Sequence, residues 1–97
     1  MTRADAVNRL SREAPRLRRL GVRELYLFGS TVRDEATDAS DVDLFVEEDS
    51  ARFGLIELAE LQEEVSSILG TRADVTTRQG LHPLLRPRIE AEALRIF

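Results

Sequence analysis

The chain has 97 residues, 42% hydrophobic and 33% charged, with a formal net charge of −4. That length holds one core, read as a single domain over residues 1–97, and the composition excludes a disordered chain. The acidic balance argues against direct nucleic-acid binding, which needs a basic face. No apolar run approaches the ~20 residues of a membrane helix, and the absence of cysteine excludes disulfides and thiolate metal sites and fits a cytoplasmic protein.

The N-terminal residues lead into a charged helix rather than a signal peptide. Thr2 is a candidate cap for a helix over Arg3–Glu13, with Ala6, Val7, Leu10 and Ala14 at helical spacing. Pro15 suits the first turn of a second short helix, and Gly21 its C-terminal cap. Val22–Phe28 reads as a strand covered on both faces. Gly29 ends it, and Ser30 opens a short helix over Thr31–Glu35 whose free N–H groups form an anion site. Taken alone, the Gly-Ser pair reads as an ordinary helix cap. A polar loop to Ser40 leads into a second strand, Asp41–Val46. Residues two apart on a strand share a face, so Asp41 and Asp43 project together. Glu47 to Ser50 form a polar exit. A helix then runs from Ala51 or Gly54 to Leu69, with Leu55, Leu58, Ala59, Leu61 or Gln62, Val65, Ile68 and Leu69 as its buried stripe and Gly70 as its cap. Arg72–Thr77 forms a third strand carrying Asp74. After a turn at residues 79–82, Pro83 or Pro87 opens the last helix, and residues 94–97 form a short edge strand.

These signals combine into one chemistry. Neighbouring carboxylates on an apolar strand repel each other and call for a hard divalent cation, Mg²⁺ or Mn²⁺. Each acid alone also fits a solvated strand end. By average residue usage, a Gly-Ser and an Asp-x-Asp at one fixed spacing coincide by chance on the order of once per thousand chains of this size. A third acid, Asp74, completes a two-metal site that clamps the attacking and leaving oxygens of an in-line nucleotidyl transfer. In that reading Gly29 and Ser30 hold the β- and γ-phosphates of a nucleoside triphosphate. Asp41 and Asp43 ligate Mg²⁺. Asp74 ligates the second metal and helps deprotonate the acceptor hydroxyl. Arg33 offsets triphosphate charge, or else forms a surface ion pair. The chain has no lysine for Schiff-base or phosphate-loop chemistry, and its single histidine, His82, excludes a multi-histidine zinc site within one chain.

At these residues the sequence resembles a known family. Gly29-Ser30, ten intervening residues and Asp41-Val42-Asp43 match the GSx10DxD pattern of the DNA polymerase β-like nucleotidyltransferase superfamily. The stretch LFGSTVRDEATDASDVDLFVE is most similar to the minimal nucleotidyltransferase (MNT) proteins. The resemblance extends to residues 17–22, to Leu69-Gly70 and Ala73-Asp74-Val75, and to Leu81-His82-Pro83, Arg86–Ile89 and Glu92-Ala93. It implies an α/β nucleotidyltransferase (polymerase β-like) fold, a small mixed β-sheet packed against helices. It further implies an antitoxin that uses ATP and Mg²⁺, at two sites, to transfer AMP to a tyrosine of a partner HEPN ribonuclease toxin, with which it forms a hetero-oligomer. Asp34 departs from the pattern, replacing the usual glycine after Arg33, and Thr31-Val32 is an uncommon filling of the turn. Two alternatives stay open: a non-catalytic antitoxin that neutralises by covering its toxin, and a nucleotidyltransferase acting on a small molecule.

Overall fold

A computed structural model describes residues 1–49, 51 and 53–97. Its elements are α1 (Arg3–Arg12), α2 (Ala14–Arg19), β1 (Val22–Phe28), β2 (Val42–Glu48), α3 (Leu55–Leu69), β3 (Ala73–Thr77), α4 (Arg86–Glu92) and β4 (Leu94–Arg95). The four strands form one sheet in the order β3-β2-β1-β4. β1 runs antiparallel to both β2 and β4, whereas β2 and β3 are parallel. Parallel neighbours need a long crossover, and α3 supplies it.

The helix boundaries follow local chemistry. The Thr2 hydroxyl accepts from the Asp5 N–H at 3.0 Å, satisfying one free donor of α1. Gly70 ends α3 with φ +70°, and its N–H reaches the Ser66 carbonyl at 2.9 Å. The stripe Leu61, Val65 and Leu69 buries α3 against the sheet, while Leu55 is 85% exposed and lies outside the core. The helix begins at Leu55 behind Gly54 rather than at Ala51. Ser50, read from the sequence as part of the polar exit, and Arg52 lie outside the described residues. β3 is an edge strand, and α3 caps that edge. Gln62 Oε1 accepts from the Val75 N–H, and Ser66 Oγ from the Ala73 N–H, both at 3.1 Å. Two strand donors that would otherwise invite pairing with another chain are thereby satisfied.

The sheet has one helix-covered face, not two, which corrects the expectation for β1. The face carrying Leu25, Leu27, Val42, Leu44, Val46, Ala73 and Val75 packs with Ala6, Leu10, Leu17, Leu61, Val65 and Leu69. The opposite face is closed by side chains instead. Phe45 has no exposed surface there because Tyr26 stacks on it at 4.7 Å, Phe28 leans against it at 5.8 Å, and the Arg78 guanidinium lies 4.9 Å over both the Tyr26 and Phe45 rings. Arg78 is pinned by ion pairs to Glu47 and Glu90. A planar cation on aromatic faces shields apolar surface and keeps its own charge satisfied.

The short helix expected over Thr31–Glu35 is a run of turns instead. The Asp34 N–H donates to the Thr31 carbonyl at 3.1 Å and the Glu35 N–H to the Ser30 carbonyl at 2.8 Å. Helical propagation stops because Asp34 takes φ +55°, in the left-handed region that glycine enters without cost. The departure from the family pattern at this position therefore carries a backbone cost and a local repayment. Asp34 Oδ1 accepts from the Arg3 N–H at 2.8 Å, capping the start of α1, and its carboxylate pairs with Arg3 at 3.7 Å. Asp34→Ala loses the cap and keeps the strained φ, so it should destabilise by about 1–2 kcal/mol. Asp34→Gly loses the cap but relieves the backbone and should stay within about 1 kcal/mol of the parent. Chemical denaturation of the two variants measures the order; an alanine variant as stable as the glycine one would contradict it.

Candidate active site

The site is built where β1 ends and β2 and β3 begin, side by side. β1 stops at Phe28, whose register partner is Asp43, and Asp43 in turn pairs in register with Asp74 on β3. Register partners on adjacent strands project from the same face, so Asp74 leaves the sheet beside Asp43. Asp41 lies one residue ahead of β2. The Val42 N–H donates to the Arg72 carbonyl at 2.9 Å, and the Arg72 guanidinium lies 3.4 Å from Asp41.

Gly29 turns the chain directly over this acid. Its φ is +76°, and a Cβ added there would overlap Asp43 Oδ2 and lie 3.2 Å from Asp43 Cγ. Two demands thus coincide at one residue, a left-handed backbone and no side chain. The Gly-Ser turn therefore lies against Asp43 of the acid pair, although ten residues separate the two motifs in sequence. Among the described residues neither the Ser30 N–H nor its hydroxyl has a hydrogen-bond partner. The Gly29 N–H is engaged: it donates to Glu92 Oε1 at 3.0 Å.

Electrostatically, Asp43 is the unusual group. Burial first, then the Asp74 and Asp41 carboxylates, push its carboxyl above the ordinary aspartate range; Glu92 adds to the effect and Arg33 opposes it. A buried acid among other acids is the situation that a bound cation relieves. The donor set is all oxygen, as a hard divalent ion requires. Among the described residues no group of three acidic or histidine side chains is closed tightly enough to grip an ion as it stands. The acids share one end of the sheet without forming a finished cage. Arg33 does not face a free anion position. Its Nε donates to Glu35 at 2.8 Å and its Nη1 to Glu92 at 2.8 Å, the ion-pair alternative open from the sequence.

A sequence model of the nucleotidyltransferase domain family matches residues 7–96. The chain belongs to this family. One relative of this nucleotidyltransferase, from Methanocaldococcus jannaschii and named as a protein adenylyltransferase, is 36% identical over 92 residues, covering 94% of this chain and 98% of its own length. A solved structure named as a minimal nucleotidyltransferase superposes with a TM-score of 0.75 at 35% identity, covering 97% of this chain and 95% of that one. A crystallised toxin-antitoxin complex with AMP-PNP shares the fold, with a TM-score of 0.72 at 20% identity over 90% of this chain and 72% of that one. The mixed sheet with helices on one face is therefore the nucleotidyltransferase fold expected from the GSx10DxD pattern. No helix among the described residues is long and apolar enough to cross a membrane.

Two residues at this site escape a reading of the sequence in roles of their own. Arg72 precedes β3 and looks like a solvated end residue until β2 brings Asp41 to it. Glu92 lies 63 positions from Gly29, and no local spacing signals their contact.

Proposed function

We propose that this nucleotidyltransferase transfers AMP from ATP to a hydroxyl, the tyrosine of a partner HEPN ribonuclease toxin, and so acts as the antitoxin of the pair. One observation carries this reading: the Gly29 turn lies against Asp43, leaving no room for a side chain between the phosphate-binding bend and the acids. The 36% identical relative named as a protein adenylyltransferase supports the reaction class. The shared fold of the toxin-antitoxin complex supports the context.

The residues have these roles in the proposal. Ser30, with its N–H and hydroxyl unpartnered, receives the triphosphate oxygens. Asp41, Asp43 and Asp74 would hold Mg²⁺ with their oxygens. The metal supplies charge neutralisation of the triphosphate and acidifies a coordinated hydroxyl. The acceptor oxygen forms a bond to the α-phosphorus, the bond to the β-phosphate bridging oxygen breaks, and pyrophosphate leaves. Asp74, exposed at the edge strand, takes the hydroxyl proton. The exposed position suits an acceptor presented by another protein.

The test is co-expression with a candidate HEPN-type partner protein, followed by incubation with ATP and Mg²⁺ and intact-mass measurement of that partner. The expected result is an added AMP, mapped to tyrosine by peptide sequencing. A partner that stays unmodified while its toxicity is still suppressed, including by an Asp41/Asp43 double alanine variant, would replace this reading with neutralisation by binding.

A further inference from the structure

Glu92, the last residue of α4, reaches across to the start of the Gly-Ser turn. Its Oε1 accepts from the Gly29 N–H and from Arg33 Nη1, both at 3.0 Å, and its Oε2 accepts from Arg33 Nη1 at 2.8 Å. Arg33 is held from its other side by Glu35, 2.8 Å from Nε. The turn is thus tied to α4 at Gly29 and again at Arg33. We infer that Glu92 is a positioning residue, a brace that sets the Gly-Ser turn for phosphate binding without entering the site itself. The inference rests on the nucleotidyl-transfer reading.

Three observations point to a brace rather than to a carboxylate standing in for phosphate. Of the Gly29 and Ser30 N–H groups Glu92 takes only that of Gly29, and the Ser30 N–H and hydroxyl remain available to an anion. The left-handed Gly29 is held on two sides, by Glu92 at its N–H and by Asp43 over the place a Cβ would take, so losing one grip frees a residue with wide backbone freedom. The Glu92 charge is already compensated by a guanidinium that spans two carboxylates, so that guanidinium is committed to the turn and not to a triphosphate. Glu92 therefore acts on phosphate through the geometry of residues 29–33.

The test compares Glu92→Ala and Glu92→Gln with the parent chain by two measurements. The first is affinity for Mg²⁺ with α,β-methylene-ATP, which cannot transfer AMP. The second is hydrogen exchange of the Gly29 amide without nucleotide. Glu92→Ala should weaken binding by about 10–100-fold, as loss of an orienting partner does. It should raise KM for ATP more than it lowers kcat, and it should speed Gly29 exchange by at least about 10-fold. Glu92→Gln keeps an oxygen acceptor for Gly29 and should recover most of both effects. Unchanged affinity in Glu92→Ala, tighter binding in either variant, or an unaltered Gly29 exchange rate would overturn the brace. If the parent chain itself binds no nucleotide, the proposed function falls, while the exchange measurement still decides whether Glu92 holds the turn.

Discussion

Asp43→Asn should lower AMP transfer by on the order of 10³-fold or more while making the protein more stable. The loss of activity follows from removing a charged oxygen from the acid cluster, to which the proposed mechanism assigns stabilisation of the reacting phosphate. The gain in stability has the same origin. Asp43 is half-buried beside Asp74 and Asp41, and its carboxyl is held above the ordinary value of 3.8. The sign follows from proton binding. Between the ordinary value and the raised folded value, the folded chain keeps the proton that the unfolded chain has lost, so stability falls as pH rises through that window. Above it, the charged Asp43 opposes folding in full. A like-charged pair on neighbouring strands costs about 0.5 kcal/mol after solvent screening, so the asparagine variant should melt about 2–4 °C higher at neutral pH. The difference should shrink toward zero below the ordinary aspartate range. Mg²⁺ should raise the melting temperature of the parent and leave the variant nearly unmoved, since an ion stabilises only the state that binds it. Thermal melts across pH, with and without Mg²⁺, measure all three. A variant that melts lower than the parent at neutral pH, or that keeps a tenth of its transfer activity, would refute the account of this residue.

Gly29→Ala should damage both folding and chemistry. Alanine at φ +76° carries the left-handed penalty of about 1–2 kcal/mol, and its methyl must displace the Asp43 carboxylate that it would overlap. Together these amount to about 2–4 kcal/mol, a fall in melting temperature of about 10–20 °C for a domain of this size. Moving the carboxylate by the width of a methyl should cost transfer at least about 100-fold, because displacements near 1 Å already do so. Gly70 supplies the control. It has nearly the same backbone angle, φ +70°, but the nearest atom to an added Cβ is the Arg9 guanidinium at 3.9 Å. Gly70→Ala should therefore show the backbone penalty alone, with transfer intact. Equal losses of activity in the two variants would mean that the contact between Gly29 and Asp43 is not what the site depends on.

Much of the site is local enough to be legible in the chain itself. Gly29-Ser30 and Asp41/Asp43 lie within fifteen consecutive residues, each beside an apolar run that reads as a strand. The two-residue spacing of the aspartates follows from backbone pleating and needs no knowledge of the rest of the fold. The caps Thr2 and Gly70 and the stripe Leu61, Val65 and Leu69 are written at helical spacing in the same way. The turn at residues 31–35 was not readable as such: its residues permit a helix, and it is the left-handed Asp34, answering to the start of α1, that breaks it.

The sequence by itself determined a strand, a glycine-serine bend and a second strand headed by two acids, because side-chain periodicity and backbone sterics act within a few residues. Only the tertiary structure decided that Asp74 stands opposite Asp43, that Phe45 is buried beneath Arg78 on the face opposite α1 and α3, and that Glu92 holds Gly29. Those contacts join residues that lie 31 to 63 positions apart. Their register is fixed by the summed packing of α3 and the sheet, to which no single stretch of the chain holds the key.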